Sequence, residues 1–399
     1  MANKKFIISG TGCALADFLY TNVSFHSPSF EKYRTRKPGD GGLSPGKLVF
    51  TEELEQFAKV PYPQILNELT DGTKAASFNI GGPSLVSLIH ASQMLEGEKE
   101  FEVKFYGISG KDETSVKIRQ LLKKTPVDFS GYLAESKKPT PFTHVLSDPD
   151  FDNGHGERTF INNIGAAWNL TPGFLPGSFF ESDMVCLGGT AITPNLHDNL
   201  HVLLEKAKNR GAFTLVNTVF DFRNEKRNPE NPWPLGNSEW SFPNIDILIM
   251  DKEEALKISG KPTVSKAIDF FTAKTSAYII TQGADPVIFN SNGEVFDRES
   301  GSLKVSEVVT QKIQNKEYNG DTTGCGDNFV GGVIASVAKQ MQQNPQKKLN
   351  LKAAVISGIC SGGFACSCHG GTWFEKTPGE KYRKIENLID AYHKQLRQK

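Results

Sequence analysis

The sequence predicts an α/β protein with a doubly wound, mostly parallel central sheet and a small β lid. Apolar runs of strand length alternate with longer helical patterns, which is typical of helices packed on a parallel sheet. No Ser- or Pro-rich linker and no charge block divides the 399 residues. Two segments, about 18–76 and 127–163, interrupt the alternation. We therefore expect a single domain over residues 1–399, with these two segments forming the lid.

The main-domain elements follow from the period of the apolar residues. The candidate strands are short apolar runs at 5–9, 102–106, 184–187, 213–217, 245–250 and 278–281. The candidate helices have helical spacing and suitable ends, at 83–95, 113–124, 196–210, 252–259 and 264–273.

The lid prediction depends on a β-hairpin in the second interrupting segment. Residues 143–146 and 158–161 flank the turn-forming sequence Asp152-Asn153-Gly154. Side chains alternate along a strand, so two faces are expected: Arg158, Phe160 and Asn162 on one, and Thr159, Ile161 and Asn163 on the other. Only one face can meet a substrate, and we assign Asn163 to substrate binding. The exposed edges of so small a sheet favour a lid-to-lid homodimer.

Composition excludes several function classes. Lysine plus arginine equals aspartate plus glutamate at 45 each, so no global field favours nucleic acid or an anionic membrane. The apolar run before Ser9 is too short for a signal peptide or a membrane span, and we expect a cytoplasmic protein. Cys360, Cys366 and Cys368 are expected to be thiols rather than disulfides. The Cys366-Ser367-Cys368-His369 cluster lacks a second cysteine pair, so no metal site is expected there.

The segment 319–329, Asn-Gly-Asp-Thr-Thr-Gly-Cys-Gly-Asp-Asn-Phe, carries the most chemical information. An apolar helical pattern follows it, so residues 324–326 would lie at a helix N-terminus, where free N–H groups and the helix dipole attract an anion. Asp327 is then placed to accept a proton from an attacking hydroxyl. The alternative is a capped turn without chemistry, against which Asp321, Thr322 and Thr323 argue.

This segment resembles the second signature of the PfkB (ribokinase-like) kinases, D-T-x-G-A-G-D-x-F, with Cys325 in place of alanine. The resemblance implies a ribokinase-like fold and ATP-dependent transfer of the γ-phosphate to a hydroxyl. It assigns the catalytic base to Asp327 and an anion hole to the amides of Gly324, Cys325 and Gly326. We interpret Cys325 as a small packed residue rather than a nucleophile.

Acceptor-binding residues are also implied by the resemblance. Asp17 follows the first strand, as does the family's substrate aspartate, and a carboxylate can accept bonds from two neighbouring hydroxyls. A solvated loop aspartate is the alternative. Gly81 and Gly82 resemble the family's Gly-Gly signature, whose backbone touches the substrate. The asparagine usual four residues later is replaced by Val86, which weakens assignment to ribose or adenosine.

Nucleotide and cation sites are implied in the same way. Glu254 matches the glutamate that orients the water shell of Mg²⁺ and phosphate, although it could also be an ordinary helix cap. Thr281 and Gly283 match a T-x-G sequence that lies against ATP. Asp321 matches an aspartate that shares in a monovalent-cation (K⁺) site.

The resulting hypothesis is an ATP:sugar phosphotransferase acting on a small carbohydrate. A nucleoside kinase of the same fold is the first alternative. A non-catalytic ligand-binding protein is the second, and it is favoured only by the departures at Val86, Asp251 and Pro286. The sequence 41–47 has P-loop spacing, but Leu48 stands where a Mg²⁺-binding hydroxyl is required, so we expect a lid loop.

Overall fold

The computed structural model describes residues 5–21, 23–37, 39–98, 100–154, 156–318 and 320–398. Asn319, the first residue of the segment 319–329, lies outside the described residues. Within these ranges, none of the helices combines the length and apolarity that spanning a membrane requires.

The described residues form one large sheet of nine strands. From edge to edge its strands are Glu299–Leu303, Asp285–Ser291, Ala277–Gln282, Ile247–Asp251, Phe213–Asn217, Met184–Gly188, Phe6–Thr11, Phe101–Gly110 and Asp128–Ser136. Pairing is parallel from Ala277–Gln282 to Asp128–Ser136 and antiparallel at the two remaining strands. The predicted mostly parallel central sheet is therefore confirmed.

Helices cover both faces of the large sheet. Successive side chains of a strand point to opposite faces, so a strand that is apolar throughout contributes to an apolar core on each side. Met184 and Cys186 pack in one apolar core, whereas Val185 and Leu187 pack in the other. The α-helices are Pro28–Tyr33, Thr51–Ala58, Tyr62–Thr70, Pro83–Met94, Glu113–Leu122, Phe151–Gly154, Pro194–Asp198, Leu200–Lys208, Phe222–Arg227, Lys252–Ser259, Val264–Lys274, Glu307–Gln314, Cys325–Gln343, Leu351–Ala365 and Glu380–Arg397.

The predicted main-domain elements recur with end shifts of a few residues, with one exception. The single helix predicted over 196–210 is two helices, Pro194–Asp198 and Leu200–Lys208. At the break, the side chain of Asn199 donates a hydrogen bond to the carbonyl of Asn195, four residues earlier, at 2.9 Å. Such local side-chain bonds compete with the helical hydrogen-bond ladder, which explains the break.

A second, smaller sheet has five strands among the described residues. Its order is Leu48–Phe50, Glu157–Asn163, Phe142–Asp148, Leu15–Tyr20 and Ser77–Gly81. Phe142–Asp148 and Glu157–Asn163 pair antiparallel, which confirms the predicted hairpin. On one face, buried side chains including Tyr20, Leu146 and Ile161 pack against the helices of the first interrupting segment.

The predicted extent of the lid is wrong in its second segment. Asp128–Ser136 lies inside the predicted lid segment 127–163, yet it pairs with Phe101–Gly110 as an edge strand of the large sheet. The segment 18–76 contains three helices, Pro28–Tyr33, Thr51–Ala58 and Tyr62–Thr70, which pack on the small sheet. Pro28 and Pro63 occupy the first turns of two of these helices, where the missing N–H group costs no helical hydrogen bond.

Candidate active site

A cleft of about 190 Å³ lies between the small sheet and the C-terminal loops of the main domain. The small sheet contributes residues from all five of its strands, and the main domain contributes the two loops around residues 321 and 369. We call this space the Asp17 cleft. Its lining residues are Asp17, Leu19, Leu48, Ser77, Asn79, Thr143, Val145, Arg158, Phe160, Asn162, Asp321, Thr323, His369 and Gly370.

Asp17 lies on strand Leu15–Tyr20, directly opposite Thr143 on the neighbouring strand. Burial raises the pKa of Asp17 to about 7, the hydrogen bond from the Thr143 side chain opposes the rise, and the charges of Asp327 and Asp321 add to it. Gly81 pairs with Leu15. A Cβ atom at Gly81 would lie 2.2 Å from Oδ2 of Asp17, so only glycine allows this approach. Gly82 follows as the N-cap of helix Pro83–Met94.

Asp321 joins the loop before helix Cys325–Gln343 to the small sheet. Its carboxylate lies 3.4 Å from a guanidinium nitrogen of Arg158, and this carboxylate side chain is only 9% exposed. Its Oδ1 accepts a hydrogen bond from the amide of Thr323 at 2.9 Å, and the amide of Gly370 lies 3.4 Å away. His369 is a more distant partner at 3.8 Å. Asp321 is therefore an ion-pair and turn-forming residue, with an arginine already beside it.

The helix Cys325–Gln343, which we call the signature helix, begins where the sequence predicts. Gly324 is its N-cap with φ of 74°, and a Cβ atom there would lie 2.5 Å from Cα of Gly371. The amide of Cys325 donates to the carbonyl of Thr322 at 3.2 Å, so this amide is shared with the turn. Gly326 is exposed in the first turn of the helix. The backbone N–H groups at such a helix N-terminus can donate hydrogen bonds to an anion.

Asp327 lies in the first turn of the signature helix. Burial raises the pKa of its carboxyl group to about 6. The group is therefore ionised at neutral pH and close enough to that pH to accept a proton, which is the property required of a general base. Its charge also raises the pKa of Asp17 and of Glu254, so the three carboxylates share one electrostatic environment.

Glu254 forms a capping box at the start of helix Lys252–Ser259. Its Oε2 accepts hydrogen bonds from the Thr218 hydroxyl at 2.6 Å and from the Asp251 amide at 2.9 Å. Burial raises the pKa of Glu254 to about 7, with a further rise from the charge of Asp251. The residue is thus both a helix cap and a buried acid at the carboxyl edge of the large sheet, the edge where ligands of open α/β sheets bind.

Thr281 and Gly283 lie at the same edge. Thr281 is paired with Asp251 near the end of strand Ala277–Gln282. Gly283 turns the chain into the antiparallel strand Asp285–Ser291 with φ of 62°, and its surroundings are open. Pro286, which departs from the family pattern, accepts a hydrogen bond from the Gln282 side chain at 2.6 Å. A cleft of about 510 Å³ adjoins this turn, lined by Ala284, Pro286, Lys304, Val305, Glu307, Thr310, Gln311 and Gln314.

One predicted site residue lies elsewhere. The side chain of Asn163 donates to the hydroxyl of Thr51 at 2.6 Å, on the face of the small sheet opposite the cleft. Asn162, its neighbour, lines the cleft instead, because strand residues alternate between faces. Arg158, Asn79 and His369 also line the cleft and were not assigned to the site from the sequence. Their convergence depends on pairing between distant strands and loops, which sequence spacing does not encode.

Comparison with protein-family models gives a match to the description "pfkB family carbohydrate kinase" over residues 61–377. The chain belongs to the pfkB family of carbohydrate kinases. It is therefore a phosphotransferase by family. Comparison with curated protein sequences gives no significant match.

Solved structures similar to this pfkB-family chain include three that are described as kinases. A probable sugar kinase from Rhizobium etli has a TM-score of 0.68 at 15% identity, covering 96% of this chain and 99% of that one. An Anopheles gambiae adenosine kinase in complex with P1,P4-di(adenosine-5) tetraphosphate has a TM-score of 0.64 at 19% identity, covering 90% and 95%. Ribokinase from Thermotoga maritima has a TM-score of 0.60 at 18% identity, covering 96% and 99%. At these identities the likeness supports the ribokinase-like fold.

A buried polar network lies behind the predicted anion hole of the pfkB-family chain. The side-chain amide of Asn328 donates to the carbonyl of Gly324 at 2.8 Å and to that of Gly371 at 2.9 Å. Its oxygen accepts from Nδ1 of His90 at 2.6 Å and from Nζ of Lys381 at 3.1 Å. Asn328 therefore fixes the distance between the N-cap of the signature helix and the facing loop.

Lys381 is 1% exposed, and its ammonium group also donates to the Gln93 side chain at 2.9 Å. Burial lowers the pKa of Lys381 from 10.5 to about 7. The pKa of Lys381 is lower in the folded chain than in the unfolded chain. Between about pH 7 and pH 10.5 the unfolded chain therefore binds this proton more tightly than the folded chain does. The folded state should therefore gain stability from this group as pH rises from about 7 to 10.5.

We expect Lys381→Met to remove this pH dependence. The difference in free energy of unfolding between the parent chain and the variant should increase in favour of the parent by up to about 1.4 kcal/mol for each unit of pH rise. Urea unfolding at pH 8, 9 and 10 measures the difference. Lys384→Met, on the same helix but exposed, is the matched control and should leave the slope unchanged. Equal slopes for the parent and Lys381→Met would contradict the buried-ammonium interpretation.

Proposed function

We propose that this chain is an ATP-dependent kinase that transfers the γ-phosphate to a hydroxyl of a small carbohydrate. The proposal is carried by one observation: the cleft that Asp17 of the small sheet lines is closed on its other side by Asp321 and Thr323, in the loop that leads into the first turn of the signature helix, where Asp327 lies. One carboxylate can hold the acceptor while the other receives its proton. The family match supports a phosphotransferase.

In the proposed mechanism, Asp17 accepts hydrogen bonds from two neighbouring hydroxyls of the acceptor. Asp327 takes the proton of the attacking hydroxyl, for which its pKa of about 6 is suitable. The amides of Gly324, Cys325 and Gly326 donate to the charge that develops on the phosphoryl oxygens, reinforced by the helix dipole. Positioning of these groups supplies most of the rate.

The residues fit Mg²⁺ bound with ATP rather than a metal held by the protein alone. No group of three or more acidic, histidine or cysteine side chains that could hold a metal occurs in the part of the chain that the structure describes. Mg²⁺ bound with ATP is characteristically held by phosphate oxygens and waters, with few protein ligands. Glu254 would orient that water shell, and burial raises the pKa of its carboxyl group to about 7. When bound, Mg²⁺ neutralises charge on the phosphates.

The nucleoside part of ATP would extend past Thr281 and Gly283 towards the 510 Å³ cleft that adjoins this turn. The guanidinium group of Arg158 already lies beside the Asp321 carboxylate and would serve there in place of a K⁺ ion. Activity in K⁺ and in tetramethylammonium buffers should therefore be equal, and a higher activity in K⁺ would restore the K⁺ assignment.

The size of the Asp17 cleft favours a small polyol. Its volume of about 190 Å³ is below the range of roughly 300–1,000 Å³ that holds drug-sized ligands. A nucleoside remains the second candidate, because a larger cleft of about 610 Å³ shares Leu48 with the first and is lined by Phe50, Phe220 and Phe222. Aromatic side chains of this kind could hold a base. Retention of both Asp321 and Asp327 argues against a non-catalytic binding protein.

A panel of sugars and nucleosides tests the proposal directly. Each compound would be added with a non-hydrolysable ATP analogue, and the shift in Tm recorded, since a bound ligand stabilises the folded state by mass action. Compounds that raise Tm would then be assayed for ATP-dependent phosphorylation. Binding of a sugar without phosphate transfer would favour the binding-protein alternative, and transfer only to nucleosides would favour the second candidate.

We expect Asp17→Ala to weaken acceptor binding chiefly. The loss of a charged hydrogen-bond acceptor should cost about 1.5–3 kcal/mol, or about 10- to 150-fold in Kd. Calorimetry with the acceptor and separately with ATP measures both affinities, and ATP affinity should be unchanged. Asp150→Ala, an exposed carboxylate of the small sheet's hairpin connection, is the control. The structure already excludes a solvated loop position, because Asp17 lies in a paired strand. Unchanged acceptor affinity would therefore overturn the assignment of Asp17 to acceptor binding.

Two neighbouring asparagines test which face of the small sheet meets the acceptor. Asn162→Ala should weaken acceptor binding by about 5-fold, corresponding to about 1 kcal/mol for a neutral hydrogen bond. Asn163→Ala should leave the acceptor Kd unchanged, because its side chain bonds to Thr51 on the other face. Calorimetry on the two variants compares them under identical conditions. The opposite pattern would restore the assignment of Asn163 to substrate binding.

We also propose that the small sheet acts as a lid and that two chains pair through its edges. The edge strands are Leu48–Phe50 and Ser77–Gly81. An exposed edge offers unpaired backbone groups to a second copy. Sedimentation equilibrium measures the association, and a monomer at all concentrations would exclude it.

We also propose that the protein is located in the cytoplasm, and cell fractionation tests this location.

A further inference from the structure

Two thiols meet where the signature helix begins. Cys325 is the first residue of that helix, and Cys366 is the C-cap residue of helix Leu351–Ala365. Their sulfur atoms are 3.5 Å apart, and both thiols are free and partly exposed. The remaining cysteines are Cys13, Cys186, Cys360 and Cys368. The family signature has alanine at the position of Cys325, so the pair is a feature of this chain.

Close packing of the two helices holds the pair together. A Cβ atom at Gly362 would lie 2.9 Å from the carbonyl oxygen of Cys325. Further along the helices, the hydroxyl of Ser357 donates to the carbonyl of Gly332 at 2.9 Å. A disulfide requires sulfur atoms about 2.05 Å apart, so the sulfurs need to approach by about 1.5 Å. Side-chain rotation and a small helix shift can supply this approach.

We propose that Cys325 and Cys366 form an oxidisable dithiol site that a peroxide converts to a disulfide beside the anion hole. The Cys366 thiolate attacks one peroxide oxygen, forming an S–O bond as the O–O bond breaks, and the leaving hydroxide takes a proton to become water. The Cys325 sulfur then attacks the Cys366 sulfur, forming the S–S bond as the S–O bond breaks. Hydroxide leaves and takes the Cys325 proton. Two thiols and hydrogen peroxide give one disulfide and two waters.

The order of attack follows from the hydrogen bond between the two sulfurs. Either thiol can donate in this bond, and the bond to Cys325 lowers the pKa of Cys366 to about 7. The same bond raises the pKa of Cys325. Cys366 is therefore the thiolate at neutral pH and attacks first, because the thiolate is the nucleophilic form.

Oxidation should lower phosphate transfer. Cys325 supplies one of the three proposed anion-hole amides, and Asp327 lies two residues further along the helix. A shift of about 1 Å in a catalytic group can cost on the order of 100-fold in rate. We expect at least a 10-fold loss of kcat in the disulfide form, fully restored by dithiothreitol. This loss rests on the proposed function, whereas formation of the disulfide does not.

The experiment measures the oxidation state of the cysteines and the rate of phosphate transfer on the same sample. Reduced protein is treated with hydrogen peroxide near pH 7.5, and peptide mapping locates any linked cysteines while the initial rate is measured. A peptide linking Cys325 to Cys366, with the loss of two hydrogens, is expected. Cys366→Ala should keep the basal rate and resist peroxide, with Cys366→Ser as a second variant. Cys368→Ala should remain sensitive and is the matched control.

The outcomes separate this inference from the proposed function. A linked Cys325–Cys366 peptide with no rate in either redox state would support the dithiol site and contradict the kinase assignment. Three outcomes would overturn the dithiol site. They are a disulfide between Cys366 and Cys368, oxidation to sulfinic or sulfonic acid with no disulfide formed, and the same loss of rate in Cys366→Ala. A linked peptide with an unchanged rate would overturn its effect on turnover.

Discussion

Asp327→Asn is expected to lower kcat by about 10²–10⁴-fold, the usual span for loss of a general base. The amide has the size of the carboxylate but cannot accept the hydroxyl proton. Folding should survive, because burial raises the pKa of Asp327 to about 6 and removal of its charge relieves a desolvation cost. Single-turnover measurements with a saturating acceptor isolate the chemical step. In the parent chain, kcat/KM should fall as pH drops through about 7 and then about 6, because both Asp17 and Asp327 must be ionised.

Asp269→Asn, on an exposed position of helix Val264–Lys274, controls for the general effect of removing a carboxylate. An unchanged chemical step in Asp327→Asn would overturn the general-base assignment. Loss of activity together with loss of the folded state would instead assign Asp327 a structural role.

Gly324→Ala is expected to lower kcat by about 10²–10³-fold, the cost of losing one oxyanion donor. The residue has φ of 74°, and the added Cβ would lie 2.5 Å from Cα of Gly371. Backbone strain of about 1–3 kcal/mol should also lower Tm. Displacement of the backbone would move the Gly324 carbonyl, which accepts a hydrogen bond from the Asn328 side chain. The first turn of the signature helix would shift with it. Thermal unfolding and steady-state kinetics on the same preparation measure both effects.

Gly326→Ala is the matched control for strain. Its Cβ would meet nothing within 4 Å among the described residues, and φ is not positive. Tm should therefore stay at the parent value in this variant, whereas it falls in Gly324→Ala. Equal Tm values for the two variants would show that the contact with Gly371 does not constrain the turn.

The strands that were predicted correctly share one physical property. Buried parallel strands such as Met184–Gly188 and Phe213–Asn217 are apolar on both faces, so they read as continuous apolar runs. Edge strands carry no such signal. Glu299–Leu303 is mostly exposed, and Asp128–Ser136 is interrupted by polar residues, so tertiary pairing alone makes them strands. The lid boundary at 127 was wrong for this reason.

The candidate site divides in the same way. Residues contiguous in sequence, such as Asp327 and Gly324, were placed correctly at a helix N-terminus, because capping chemistry is local. Contacts between distant segments were not predictable. Arg158 reaches Asp321 because the hairpin lies against the loop before the signature helix, and Cys325 meets a thiol 41 residues away. Asn163 was chosen over Asn162 because strand alternation leaves the inward face undetermined.

The position of strand Phe6–Thr11 has a consequence for how the chain reaches its native state. This strand precedes both of its partners in the chain, pairing with Phe101–Gly110 on one side and with Met184–Gly188 on the other. During synthesis its backbone groups therefore stay unpaired until these two later strands have been translated. High contact order of this kind slows folding and exposes apolar edges during synthesis. Refolding from urea should be slow, with an aggregation-prone intermediate, and a chaperone should raise its yield.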